Sequence, residues 1–136
     1  MPTKPSKELE IFENPCPQRD YLVTMVSSEF TCLCPITGQP DFATIHIGYM
    51  PGQWCVELKS LKLYLWSYRN EGAFHEAVTN KIAGDMIKSI DPRYLNVRAR
   101  FKIRGGITTE VVVEHVGNQG SAIHLPRVLP AVEINE

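Results

Sequence analysis

The chain has 136 residues, 43% of them hydrophobic and 21% charged, with a formal net charge of −1. That length predicts one domain with a substantial core, 1–136, and the near-neutral balance excludes a global field that would gather nucleic acid or a membrane surface. No apolar run approaches the ~20 residues of a membrane span, and the opening MPTKPSKELE lacks the apolar stretch of a secretory signal, so Cys16, Cys32, Cys34 and Cys55 are expected as thiols in the cytoplasm.

Residues 1–19 hold Pro2, Pro5, Pro15 and Pro17 among charges and read as an extended arm. Tyr21 to Phe30 is rich in β-branched and aromatic residues and reads as a strand. Cys32 to Pro40, CLCPITGQP, has turn residues and no period, which predicts a loop. Phe42 to Tyr49 alternates, with Ala43, Ile45, Ile47 and Tyr49 on one face of a second strand. Pro51-Gly52 marks a turn, and Trp54 to Glu57 a short extended lead into a helix.

In that helix Leu58, Leu61, Leu65 and Tyr68 recur at the spacing of one buried stripe. Lys59, Lys62, Trp66 and Arg69 repeat the spacing one residue on, so a basic face lies beside the apolar one. Gly72 breaks the pattern. A second helix is predicted from about Ala73 to Ile90, with Phe74, Val78, Ile82 and Met86 inward, His75-Glu76 at its start and Pro92 beyond its end. Leu95, Val97, Ala99, Phe101 and Ile103 then alternate with Asn96, Arg98, Arg100, Lys102 and Arg104, a strand with one apolar and one basic face. Gly105-Gly106 turns the chain into a last strand, Ile107 to Val116, and 117–136 reads as an irregular tail. The order ββααββ predicts an α+β fold, a four-stranded antiparallel sheet with two helices on its apolar face.

The residues that suit chemistry lie around the cysteine loop. Cys34 sits among Pro35, Thr37, Gly38 and Pro40, with Asp41 at the start of the next strand. A reactive cysteine needs donors or cations that favour its thiolate, and a nearby carboxylic acid can deliver a proton. Zinc is the competing reading, but Cys32-x-Cys34 lacks the two-residue spacer of common sites, and only convergence in space with His75 would supply ligands. No glycine-rich dinucleotide or phosphate loop is present, so a dinucleotide would be held by cations such as Lys59, Lys62 and Arg104 with Gly105-Gly106.

Three stretches, EFTCLCPITGQPDFATI (Glu29 to Ile45), ELKSLKLYLWSYRNEGAFHE (Glu57 to Glu76) and FKIRGGI (Phe101 to Ile107), resemble the short bacterial form of the NADPH-dependent 7-cyano-7-deazaguanine reductases, the nitrile reductases of queuosine biosynthesis. The resemblance spans about Phe12 to Ile107. It implies a tunnelling fold whose subunits join their sheets into rings, with stacked pentamers as the homo-oligomer and active sites between subunits. It also implies roles: Cys34 as the nucleophile that adds to the nitrile, and Asp41 as proton donor. Val56, Glu57, Leu58, His75 and Glu76 would hold the 7-deazaguanine substrate. Lys59, Lys62, Arg104 and Gly105 would hold NADPH. No metal, membrane or direct nucleic-acid partner is implied.

Two positions depart from the family pattern. Leu58 stands where many members carry serine, so only its backbone role carries over. Cys32 stands where a small unreactive residue is expected, either as a competing thiol or as a partner that protects Cys34 by oxidation. Two other readings are a related tunnelling-fold cyclohydrolase acting on pterins or purines, and a ring-shaped binding protein in which Cys34 is inert.

Overall fold

The computed structural model describes residues 3–118, so the expected tail, 117–136, lies outside the described residues from 119 onward. The elements in order are β1 (Ile11–Glu13), β2 (Val23–Leu33), β3 (Pro40–Met50), β4 (Trp54–Val56), α1 (Leu58–Trp66), α2 (His75–Ile90), β5 (Tyr94–Arg104) and β6 (Ile107–Val116). One antiparallel sheet has the order β2-β3-β5-β6, and β1 and β4 form a second, two-stranded one.

Register fixes which face becomes core. Ala43, Ile45, Ile47 and Tyr49 on β3 stand opposite Phe101, Ala99, Val97 and Leu95 on β5, and all eight are buried. Because side chains alternate along a strand, this pairing makes one continuous apolar face across the central strands. The helices cover it: α2 through Val78, Ile82, Met86 and Ile90, α1 through Leu61, Tyr64, Leu65 and Tyr68 at its end. At the tip of the β5–β6 hairpin Gly105 and Gly106 have φ of +59° and +77°. A two-residue loop with both φ positive matches the strand twist, and glycine adopts it without strain.

Several boundaries differ from the sequence reading, each for a visible reason. Cys32 and Leu33 belong to β2, and Pro40 opens β3, because their backbones pair as Cys32↔Asp41 and Leu33↔Pro40. Proline is tolerated at a strand's first residue, so the loop signal overreached. The second helix starts at His75, because Ala73 N–H donates to Leu33 O at 3.0 Å and is held in an extended pairing. Phe74 is consequently 55% exposed. Leu58 does not join the buried stripe; it is 63% exposed, and Tyr64 takes its place. Ile103 is exposed as well, since the hairpin tip runs beyond the helices.

The N-terminal arm also packs on the fold. Its β1 pairs with β4, Glu57 N–H donates to Glu10 O at 2.8 Å, and Glu10 N–H donates to Ser60 Oγ at 2.9 Å. Lys7 Nζ donates to Ser67 Oγ and Glu71 Oε1, both at 2.7 Å, and lies 4.0 Å over the Tyr68 ring. Glu71 O in turn accepts from Leu33 N–H at 2.9 Å. The arm, the end of α1 and the strand leading into Cys34 are thereby tied together.

Candidate active site

Cys34 to Gln39 hang as a tight loop between the paired ends of β2 and β3. Cys34 N–H donates to Gln39 O and Gly38 N–H to Cys34 O, each at 2.8 Å. Gly38 closes the loop with φ of +72°, a left-handed conformation that suits glycine. Thr37 Oγ1 accepts from Gln39 N–H at 3.2 Å, which leaves its hydroxyl proton for another acceptor. The Thr37 hydroxyl and the amides of Thr37 and Ile36 donate to the Cys34 sulfur and hold its thiol below the ordinary cysteine range, against smaller opposing effects of burial and of Asp41. These donors favour the thiolate, the nucleophilic form.

A pH prediction follows from the direction of that shift. A lowered thiol pKa means that thiolate persists at lower pH than in an ordinary cysteine. Thr37→Val removes the largest donor, so the midpoint of Cys34 alkylation by iodoacetamide should move to higher pH, and the rate at neutral pH should fall. Thr37→Ser should restore the native profile. An unmoved midpoint in the valine variant would remove Thr37 from the activation of Cys34.

Cys32 has the opposite environment. It is buried on the core face of β2, and desolvation, followed by the charges of Asp41 and Cys34, pushes its thiol up to about 11. Burial makes it a poor nucleophile. Both cysteines are free thiols here.

Asp41, second in β3, is the hub beside this loop. Its side chain is 11% exposed and takes two cationic or polar partners: Oδ1 lies 2.9 Å from Arg104 Nη1, and Oδ2 lies 3.2 Å from His75 Nε2. Arg104 Nη2 also donates to Pro40 O at 2.9 Å. His75 opens α2, and its ring stacks flat on Phe101, with centroids 3.6 Å apart and planes 3° apart. The stack fixes the ring plane, so Nε2 is aimed at Asp41. Glu76 follows it, exposed, in the first turn of α2, where the helix dipole favours a carboxylate. Asp41, His75 and Arg104 are therefore joined where β3 begins, beside the Cys34 loop, with Glu76 and Gly105 next to them in sequence.

The other expected residues start α1, at the end of the sheet where β3 finishes. Val56 is buried, and its N–H donates to Tyr49 Oη at 3.2 Å. Glu57 caps the helix: its carboxylate accepts from Lys59 N–H at 2.7 Å and Ser60 N–H at 2.8 Å. Those amides, and then the Lys59 charge, hold its carboxyl below the usual range. A carboxylate has about four acceptor sites, so the cap leaves capacity for a ligand. Leu58, Lys59 and Lys62 are exposed along α1. Within one chain α1, roughly 13 Å long at 1.5 Å per residue, separates this group from Cys34.

Between α1 and β2 lies a cleft of about 810 Å³. Leu61, Leu65, Phe30 and Ile45 form an apolar floor, and Leu58, Lys62, Trp66 and Arg69 line the α1 side. That donor set fits a nicotinamide dinucleotide, which needs apolar surface for its rings and cations for its phosphates. The sequence reading missed Trp66 and Arg69 as site candidates, although they share a face with Lys62. It also missed Phe101 and Thr37, whose roles depend on contacts across the fold. Among the described residues no three His, Cys, Asp or Glu side chains are grouped to hold a metal ion.

A protein from Alkalilimnicola ehrlichii named NADPH-dependent 7-cyano-7-deazaguanine reductase is 62% identical over 115 residues, covering 85% of this chain and 89% of that one. One of the same name from Halorhodospira halophila is 61% identical over 117 residues, covering 86% of this chain and 99% of that one. The apo crystal structure of the archaeosine synthase QueF-Like superposes with a TM-score of 0.64 at 24% identity, over 68% of this chain and 91% of that one. That likeness shows the α+β tunnelling fold. A family model described as QueF-like protein matches residues 40–119, more than half of the sequence, and with relatives so similar along most of its length the chain belongs to the QueF-like family.

Proposed function

We propose that this chain reduces the nitrile of 7-cyano-7-deazaguanine to an aminomethyl group with NADPH, through a thioimide on Cys34, in the synthesis of the queuosine base of tRNA. The observation that carries this reading is the arrangement at the start of β3: a thiolate-favouring loop around Cys34 beside Asp41, itself joined to His75 and Arg104.

A nitrile carbon is a poor hydride acceptor, and covalent addition divides one hard step into easier ones. The Cys34 thiolate forms a C–S bond to that carbon as one C–N π bond breaks. Asp41 gives a proton to the nitrogen that gains the electron pair, and His75, at 3.2 Å, is placed to return one. When bound, NADPH supplies the hydride for each of two reductions. Between them the C–S bond breaks, Cys34 leaves as thiolate, and the carbon is left as an imine. Arg104 Nη1, 2.9 Å from Oδ1, holds the Asp41 carboxyl group in place, and His75 at Oδ2 is the group that resupplies its proton. Glu76 and the spare acceptor sites of Glu57 suit the N–H edge of a 7-deazaguanine, where one carboxylate accepts from the ring N–H and the exocyclic amine together.

In this reading the two groups of site residues meet across copies of the chain. Among the described residues β2 and β6 are the outer strands of the sheet, and Val26, Val112 and Val116 on them are 47%, 52% and 56% exposed. An open strand edge with exposed valines is a template for pairing with another copy. Joined copies would bring the α1 start of one to the Cys34 loop of the next, in rings such as stacked pentamers. The cytoplasm, where the NADPH and the tRNA base precursors are, is the fitting location; among the described residues no helix is long and apolar enough to cross a membrane.

The test mixes protein with 7-cyano-7-deazaguanine and looks for a covalent mass increase equal to the intact nitrile, then adds NADPH. Two NADPH consumed per nitrile, by a particle several chains in mass by light scattering, is the expected result. No adduct and no NADPH oxidation would leave a binding protein. An active monomer would refute sites shared between copies.

A further inference from the structure

The N-terminal arm reaches the start of α1 through one buried hydroxyl. Ser60, in the first turn of that helix, is 5% exposed. Its Oγ donates to Glu57 O at 2.8 Å and accepts from Glu10 N–H at 2.9 Å, and its own N–H donates to Glu57 Oε1 at 2.8 Å. Glu57 N–H in turn donates to Glu10 O at 2.8 Å. These bonds close a ring through Glu10, Ser60 and Glu57, and it joins parts of the chain 50 positions apart. The helix does not need the hydroxyl. Leu61 N–H already donates to Glu57 O at 3.1 Å, and the carboxylate caps the amides of Lys59 and Ser60 without it. What the hydroxyl adds is a second hold on the Glu57 backbone and a link to the arm. The arm is itself anchored, with Leu9 packed against the core and Ser6 N–H donating to Leu63 O at 3.3 Å.

We infer that Ser60 is a positioning residue for Glu57, acting with the Glu10 backbone, so that the arm forms part of the substrate-binding machinery. The inference rests on the proposed function, which gives the spare acceptor sites of Glu57 to the 7-deazaguanine. The amide, the carbonyl and both carboxylate oxygens of Glu57 have fixed partners, so the lone pairs left over on the carboxylate hold one direction. A ligand edge that presents two N–H groups is gripped well only by acceptors held in that way, and a small misplacement of a positioning group is costly. Glu10 supplies main-chain atoms to the ring while its residue is exposed, so its side-chain type does not announce the role.

Two substitutions break the ring at different bonds. Ser60→Ala removes the hydroxyl, and Glu10→Pro removes the amide that donates to it, whereas Glu10→Ala deletes the same carboxylate and keeps the amide. Affinity for 7-cyano-7-deazaguanine is titrated by calorimetry in a Cys34→Ala background, where binding stays non-covalent. Steady-state rates, alkylation of Cys34 by iodoacetamide and mass by light scattering are measured with Cys34 in place. Ser60→Ala and Glu10→Pro should each weaken the substrate about five- to tenfold, and the loss should fall on KM, with kcat within about threefold of native. Glu10→Ala should stay within about twofold, and Ser60→Thr, which keeps a hydroxyl, should recover most of the affinity. Alkylation and particle mass should be native throughout, because α1 separates the ring from the cysteine loop. Native affinity in both Ser60→Ala and Glu10→Pro would overturn the inference and leave the proposed reduction standing, with the ring serving the helix alone. Equal losses in Glu10→Pro and Glu10→Ala would overturn it too, as would losses accompanied by altered alkylation and lower mass, the mark of a loosened fold. Protein with no substitution in the ring that neither binds the nitrile nor forms the adduct would overturn both the inference and the proposed function.

Discussion

Replacing Cys34 with alanine is expected to remove both the covalent adduct and turnover, a loss of roughly 10⁴-fold or more when a nucleophile is deleted. The fold should be unaffected, because Cys34 is half-buried in a surface loop held by its own backbone bonds to Gln39 and Gly38. Cys32→Ala is the informative control. Its thiol is fully buried and pushed up to about 11, so almost none of it is thiolate at neutral pH. That variant should form the adduct normally and lose only the modest stability of a small core truncation. Mass spectrometry of the two variants with substrate separates them. An adduct in Cys34→Ala that is missing from Cys32→Ala would place the nucleophile on the wrong residue.

Asp41→Asn is expected to keep substrate binding and lose turnover. Asparagine preserves the shape that fits between Arg104 and His75 but has no acidic proton to deliver. Removal of a positioned acid typically costs about 10²–10⁴ in rate. The loss should fall on kcat, since the proton is needed as charge develops on nitrogen and not while the substrate docks. Substrate affinity measured by calorimetry should stay within roughly threefold, with adduct formation slowed. Turnover near the native rate would take Asp41 out of the mechanism and leave its contacts as structural.

The fold was legible wherever the side-chain period was unambiguous. The alternation identified the buried face from Ala43 to Tyr49 in β3 and from Leu95 to Phe101 in β5, failing only at Ile103 beyond the helices, and the glycine pair located the hairpin, since both signals are local. The ends of elements were not legible. Leu33 and Ala73 are joined by a backbone hydrogen bond, and no local propensity encodes a partner forty positions away, while Pro40 opens β3 because it pairs with Leu33 across the cysteine loop. Leu58 fits the apolar spacing of α1 yet faces the cleft, because periodicity says which residues share a face and not how far the sheet beneath extends.

The site divides in the same way. By itself the sequence determined the reactive candidates, Cys34 and Asp41 with His75-Glu76, because a cysteine turn, an acid after it and an ionisable pair at a helix start lie in contiguous motifs. Only the tertiary structure decided their states and partners. It set Cys34 in a turn of hydrogen-bond donors and Cys32 in the core, two residues apart with opposite thiol behaviour. It brought His75 to Asp41 across 34 residues and laid its ring on Phe101. It gave Arg104 to Asp41, made Glu57 a helix cap, and turned Trp66 and Arg69 into the wall of a cleft. The reason is physical: residue type fixes what chemistry a side chain can do, whereas its charge state, orientation and neighbours depend on desolvation and hydrogen bonds supplied by parts of the chain far away in sequence.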